Sequence, residues 1–438
     1  MPRPTTARRL ALLAMALLAM ALLAAPSGAQ PAPVSPPEPV PPADPLLRPL
    51  SERDWTLAVR LEASDRSLSG TDPRVTNPGV TPRQRRLNPR LESITFARAA
   101  VVFPALTGTS THTADGEISS RLRFDSFVAD TTPEFLSGYQ SGERLARWDA
   151  ADVEGAEYMR LDVNTPMTTR SVEIDEHRAR LIGWPDGPWP AVCASALQPQ
   201  LGIDPSSDAV RALVERAMGV PPYVEPPYVV AKKLAADIGQ RFRTTGLGYE
   251  YDRVGRFAGI ELGPTEECAA NMTGTPAETV ALLCAAMRAA GIPARPVIGY
   301  DLLAAPEVDD EELEEVPEHC GYRFEEGDTL AQPRLTYWLE FALYDEDAGT
   351  LEWVPVDILR QRRLSSRLPA LSEPWRFFGN HTCADLLLPI SHHFFPPTTV
   401  VGMGAPLMWG WMAEPAIPRL DQTLNMWAHA TVITTPTE

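Results

Sequence analysis

The chain has 438 residues and carries 57 acidic side chains against 39 basic ones, a formal net charge of −18. So acidic a surface repels phosphate backbones and anionic lipid, which argues against a nucleic-acid or membrane-surface role and favours a neutral or basic partner. The 44% hydrophobic share, with 10 Trp and 13 Phe, excludes a disordered chain, and 45 prolines announce long loops and Pro-rich connectors.

The first thirty residues have the pattern of a targeting segment. Arg3, Arg8 and Arg9 precede an uninterrupted apolar run of 16 residues from Leu10 to Ala25, and Ser27-Gly28-Ala29 supplies small residues for a cut after Ala29. The run is short of the ~20 residues a spanning helix needs. Residues 1–29 therefore read as a signal peptide, and the rest as a periplasmic or extracellular chain with no membrane span. Residues 30–50 read as a Pro-rich linker in extended, polyproline-type conformation.

From 51 to 197 the signals are those of short strands. Thr56 to Glu62, Ser93 to Phe103, Ile118 to Val128, Tyr158 to Val163 and Ser171 to Asp175 alternate apolar with other residues, and turn pairs such as Asp72-Pro73 and Asp186-Gly187 separate them. The pattern predicts a β-sandwich-like N-terminal domain. Helices follow at Asp208 to Met218, Pro227 to Phe242 and Pro276 to Ala290, then strands at Ala294 to Leu302, Leu335 to Tyr344 and Leu351 to Ile358. The whole is an α+β chain, with a core over 198–365 and a tail over 366–438. Between the first two of these strands Glu307 to Glu318 holds eight carboxylates, which read as a solvated, self-repelling loop. The tail carries Trp375, Trp409, Trp411 and Trp427 and is expected to pack over the core.

Cys193, Cys268, Cys284, Cys320 and Cys383 are the five cysteines. In an oxidising compartment two pairs and one leftover is one arrangement, and Cys284, inside a helical apolar pattern, is the expected unpaired one. The pairing cannot be read from spacing. His392 and His393, with Cys383 and His381 nearby, match no structural zinc spacing and are read as packing or surface residues, so neither metal nor cofactor is expected.

The helix at Pro276 has every local signal in agreement. Thr275 and Glu278 form a capping box, Pro276 occupies the first helical position, Val280, Leu283, Cys284 and Met287 form the apolar stripe, and Gly291 ends it. The run RAAGIPARPVIGYD (Arg288 to Asp301), with YWLEF (Tyr337 to Phe341) and WVPVD (Trp353 to Asp357), resembles the transglutaminase-like superfamily of papain-type folds. LQPQLGIDPSSDAVRALVERAMG (Leu197 to Gly219) is similar to the linker and first helices of its bacterial exported members, and WRFFGNHTC (Trp375 to Cys383) fits them more loosely.

The resemblance implies a papain-like core and a Cys-His-Asp triad. The thiol stands at the N-terminus of the helix, a His two positions before the strand Trp acts as base, and an Asp on the next strand orients it. Carried over residue by residue, these positions fall on Pro276, Thr336 and Asp357, with Gly274, Thr275 and Trp338 as the flanking cleft residues. Pro has no nucleophilic atom, and a Thr hydroxyl is no base near neutral pH. Asp357 reads equally well as a vestige and as a strand-end carboxylate accepting backbone or Arg hydrogen bonds.

The reading is therefore a catalytically inactive, transglutaminase-like module that binds a peptide, protein or glycan. Its rivals are an active cysteine peptidase, amidase or acyl transferase using Cys268, Cys320 or Cys383, and a purely structural envelope protein. Lysine amines are the usual acceptors in transglutaminase cross-linking, and Lys232 and Lys233 are the only lysines, so the chain would be a poor substrate for its own cross-linking.

Overall fold

A computed structural model describes residues 45–65, 94–114, 116–124, 127–129, 132–137, 143–156, 158–251, 257–302, 327–331, 334–365, 367–395, 408–414 and 420–433. The signal segment, residues 30–44 of the expected linker, the acidic stretch 307–318 and Cys320 lie outside the described residues, and the linker's expected last residues, from Leu47, instead belong to the first strand. Residues Pro45–Glu438 form one compact unit.

Strands come first: β1 (Leu47–Asp65), β2 (Ile94–Pro104), β3 (Gly108–Thr109), β4 (His112–Ala114), β5 (Ser119–Phe124), β6 (Phe127–Ala129), β7 (Glu134–Leu136), β8 (Leu145–Ala156) and β9 (Tyr158–Ile174). A mixed region follows, with α1 (Glu176–Ala179), α2 (Asp208–Met218), α3 (Pro227–Arg241), β10 (Arg243–Thr244), β11 (Tyr249–Tyr251), β12 (Phe257–Ile260), α4 (Thr265–Asn271), β13 (Thr273–Gly274) and α5 (Pro276–Ala289). The last elements are β14 (Ala294–Asp301), β15 (Thr329–Ala331), β16 (Arg334–Asp345), β17 (Thr350–Val356), α6 (Ile358–Leu364), β18 (Leu387–Ser391), β19 (Gly410–Glu414) and β20 (Leu420–Ile433).

The N-terminal region is sheet-rich. One sheet runs β15-β20-β1-β9-β4-β3, with β5 and β6 also on the β9 side, and a second runs β19-β2-β8-β7. Leu57, Val59 and Leu61 of the first sheet share one apolar cluster with Val101, Phe103 and Trp148 of the second. The two runs at 158–163 and 171–175, expected as separate strands, are one strand, β9. Pro166 is tolerated inside it because β5 pairs as far as Asn164 and β4 begins at Met167, so its missing N–H faces a gap between ladders.

The tail divides in a way that local sequence does not signal. In its first part Phe378 sets its ring 5.2 Å from Tyr228 and 5.6 Å from Phe341. Its last part instead completes the N-terminal sheets, β19 pairing β2 and β20 pairing β1 over thirteen register positions. The exposed edges of β1 and β2 accept these strands and are thereby removed as aggregation sites.

The core sheet is antiparallel in the order β17-β16-β14-β18. On one face Phe341 of β16 meets Tyr228 of α3, and Tyr337 donates its hydroxyl to Gly248 O beside the start of α5. On the other, Glu340 takes Ser110 from the β3–β4 hairpin, and Trp338 meets His381. Helix α5 is buried nearly all round rather than along the single stripe its sequence suggests, because α2, α3 and α4 cover what the sheet does not.

Asp385 bolts the tail to the N-terminal sheet. Its carboxylate takes Arg53 Nε at 2.5 Å and Ser171 Oγ at 2.6 Å, and its carbonyl accepts from Trp55 Nε1 and Thr169 Oγ1. The two lysines do lie together on α3. Lys232 is buried with Nζ 2.6 Å from Glu176 and 5.5 Å from the Trp375 ring centre, and Lys233 pairs with Glu225.

Candidate functional site

The start of α5 is where the family resemblance puts a nucleophile, and here the helix's own residues occupy it. Thr275 Oγ1 accepts from Glu278 N and donates to Glu261 O, while Glu278 accepts from Thr275 N at 2.7 Å and from Gly263 N at 2.6 Å. A carboxylate already sits on the N-cap amide of Thr275 and at the positive end of the helix dipole. Gly248, in the left-handed region at φ 80°, closes the outer side. A Cβ there would lie 3.1 Å from both the Ala277 nitrogen and the Tyr337 ring, and 3.3 Å from Pro276 Cδ. Thr275→Ala should lower stability by about 1 kcal/mol through the lost cap. A urea midpoint indistinguishable from that of the parent would show that the cap is not used.

The three triad-equivalent positions are not joined to one another by any hydrogen bond or ion pair. Pro276 is half-buried beside Gly248 and Tyr337. Thr336 is buried on β16 opposite Gly299. Asp357 follows β17 as the N-cap of α6, accepting from Arg360 N at 2.9 Å, so the strand expected to run to Ile358 ends at Val356. Trp338, one of the expected cleft residues, is fully buried, and Gly274 is crowded by Glu278 and Phe242.

Asp357 belongs to a buried ionic group that spans three segments. Arg360 Nη2 stands 2.6 Å from Asp301 Oδ2, Arg360 Nε 3.4 Å from Asp357 Oδ2, and His381 Nε2 3.4 Å from the same oxygen. Burial alone would raise the Asp357 pKa, but His381 and Arg360 outweigh it and hold the carboxyl below its ordinary value. The edge of the Trp338 ring lies against His381, with centroids 6.3 Å apart. The Asp position thus retains an imidazole, though one supplied by the tail and sealed from solvent. No local signal marks His381 as its partner, since 24 residues separate them. The nearest hint is Gly379, whose φ of 74° and close approach to Ile174 allow the turn that delivers His381.

The thiols are equally remote from chemistry. Cys193, Cys268 and Cys284 are free and buried, which departs from two pairs and one leftover, and Cys383 is disulfide-bonded. Burial pushes Cys193 and Cys284 up to about 11, and burial with the charges of Glu278 and Glu267 pushes Cys268 up to about 12. His392 and His393 are both buried. His393 Nδ1 meets the buried Glu143, and its Nε2 faces Met408 O at 3.1 Å. Ser391 Oγ also reaches Glu143, at 3.3 Å, but donates to His393 O and not to the imidazole. Among the described residues no three His, Cys, Asp or Glu side chains stand close enough to hold a metal, and no helix is long and apolar enough to cross a membrane.

A helix packed against an antiparallel sheet, with an Asp just beyond the third strand, is the core of a papain-like fold. Residues 235–358 match the transglutaminase-like superfamily, and the chain carries a transglutaminase-like domain over that span. No curated protein matches the chain. A candidate cysteine protease from Cytophaga hutchinsonii is similar over 90% of this chain and 96% of its own, at 12% identity and a TM-score of 0.48. A candidate protease from Parabacteroides distasonis is similar over 71% of this chain and 59% of its own, at 11% identity and a TM-score of 0.22. Likenesses this distant bear on neither activity nor substrate.

Proposed function

We propose that the chain is an exported transglutaminase-like module without thiol chemistry, which binds a peptide or protein partner. One observation carries the reading. Where the family's nucleophile and base belong, this chain has Pro276 and Thr336, and the Glu278 carboxylate occupies the helix start that would stabilise a thiolate. Export is supported by the apolar N-terminal run and suits a disulfide-bonded Cys383. An active enzyme with a relocated thiol finds no support at Cys268, which is buried with a raised pKa, or at Cys383, which is oxidised.

Thiol labelling provides the test. With pKa values near 11 to 12, the fraction of thiolate at pH 8 is on the order of one in a thousand or less. The native chain should therefore resist iodoacetamide at pH 6 and form no thioester with acyl donors, whereas chain denatured at pH 8 should label at Cys193, Cys268 and Cys284, with Cys383 following only after reduction. A single stoichiometric label on native protein at pH 6, lost on substitution of one cysteine, would reverse the proposal.

A further inference from the structure

The solvent face of the N-terminal sheet carries a recess that the core site does not use. Strands β15, β20, β1 and β9 lie side by side there. Side chains alternate along β1, so Leu57, Val59 and Leu61 enter the apolar cluster while Ala58 and Arg60 turn to the other face. Ala58 pairs with Trp427 on one side and with Asn164 on the other, and a methyl group between two long side chains leaves a hollow. The hollow measures about 400 Å³. Trp427 and Asn164 wall it across the strands. Arg60 with Asp162 closes one end, and His429 with Thr329 closes the other.

These walls keep hydrogen-bonding capacity that the protein does not use. Arg60 gives Nε to Asp162 at 2.6 Å, and its two terminal nitrogens make no hydrogen bond among the described residues. Thr329 Oγ1 and His429 Nδ1 share a bond of 2.9 Å, which leaves His429 Nε2 open. Asn164, exposed, reaches Ser119 through Nδ2 at 3.4 Å, and its amide oxygen is uncommitted. Trp427 adds a half-buried indole, with the Arg60 guanidinium 5.3 Å from the ring centre. Apart from the imidazole, the lining holds one cation and one anion, and Arg60 and Asp162 already neutralise each other. An ionic ligand therefore finds no opposite charge to pair with. A wholly apolar one would strip water from the amide, imidazole and guanidinium without replacing its bonds. A peptide strand finds no edge, because β20, β1 and β9 are each paired along both sides here. What fits is a neutral molecule with one apolar face and several hydroxyls.

We infer that this recess binds a neutral saccharide unit of a glycan on the outer face of the N-terminal sheet. The C–H face of the sugar ring lies against Trp427, and its hydroxyls reach the Asn164 oxygen, His429 Nε2 and the terminal nitrogens of Arg60. The volume lies within the usual range of small-molecule sites, and an aromatic wall with a few convergent polar groups is their usual make-up. Planar amide, imidazole and guanidinium groups have fixed bonding directions, so they distinguish one arrangement of hydroxyls from another. The recess shares no residue with the core sheet, and saccharide binding here does not rest on the peptide-binding reading of the core. Either can fail alone.

Screening the full chain against an array of neutral and acidic glycans tests it, with the hits titrated calorimetrically as free oligosaccharides. The expected result is binding to neutral glycans that holds between about 0.1 and 1 M salt, over which the screening length falls from about 10 to 3 Å. Asn164→Ala changes an exposed side chain, so it should keep the urea midpoint of the parent and weaken the selected saccharide about tenfold. Ala58→Leu fills the hollow from its floor without removing a wall, and should abolish binding. Trp427→Ala should do the same, but its ring is half-buried, so the two other variants decide the matter if it misfolds. Saccharide binding undiminished in both Asn164→Ala and Ala58→Leu would overturn the inference. So would an array that returns no glycan, or only acidic glycans released by salt.

Discussion

Glu340→Ala should lower the unfolding free energy by about 3–5 kcal/mol, because it leaves a buried guanidinium without its counter-charge. Glu340 is fully buried. One of its oxygens takes Arg295 Nε at 2.9 Å and Nη2 at 2.7 Å, and the other takes Ser110 N and Oγ. The ion pair holds β14 to β16, and the serine contacts hold the N-terminal hairpin to the core sheet. Removing the carboxylate therefore strands three donor groups in a dry interface, each at the price of its lost hydration. Glu340→Gln, which keeps an acceptor, should fall between the variant and the parent. Urea titration with an unchanged m-value is the measurement. A loss under about 1 kcal/mol for the alanine variant would mean that Arg295 finds another partner or reaches water.

Asp357→Ala should be destabilising on a similar scale, for two additive reasons. It uncaps α6, worth about 1 kcal/mol, and it leaves His381 and one side of Arg360 facing nothing in the interior. The acid limb distinguishes this account from a simple packing defect. Although burial opposes it, the Asp357 pKa is held below the ordinary carboxylate value by His381 and Arg360. The unfolded chain therefore takes up this proton at a higher pH than the native one. The stability it supplies is complete above about pH 4 and is lost as pH falls through the lower native value. Asp357→Asn should start lower and then decline less steeply below pH 4. Parallel declines for parent and variant would remove Asp357 from the acid transition.

Much of the core was legible because its signals are local. The capping box, Pro276 at the first helical position and the run to Gly291 place α5 almost to the residue, and the motifs around Arg295, Trp338 and Asp357 place three strands and the family. Periodicity read the helix as one-sided, however, since it records only the sheet contact and not the three helices that cover the rest. The same limit made Trp338 look like a cleft residue, because aromatic character does not say which of two faces is open.

Pairings between distant segments left no such trace. His381 reaches Asp357 from another part of the chain, Glu143 meets His393 across 250 positions, and β20 returns to β1 from the far end. Each depends on packing that no window of neighbouring residues contains.

What the sequence determined by itself was chemical inventory and local geometry: an acidic chain, a capped helix, and a Pro at 276 and a Thr at 336, where the family resemblance puts the reactive residues. Side-chain identity alone says that Pro276 has no nucleophilic atom and that Thr336 is no base near neutral pH. Tertiary structure decided what those positions became. Buried contacts depend on which surfaces meet, so only the fold could place Glu278 on the helix start and bury Asp357 with Arg360 and His381.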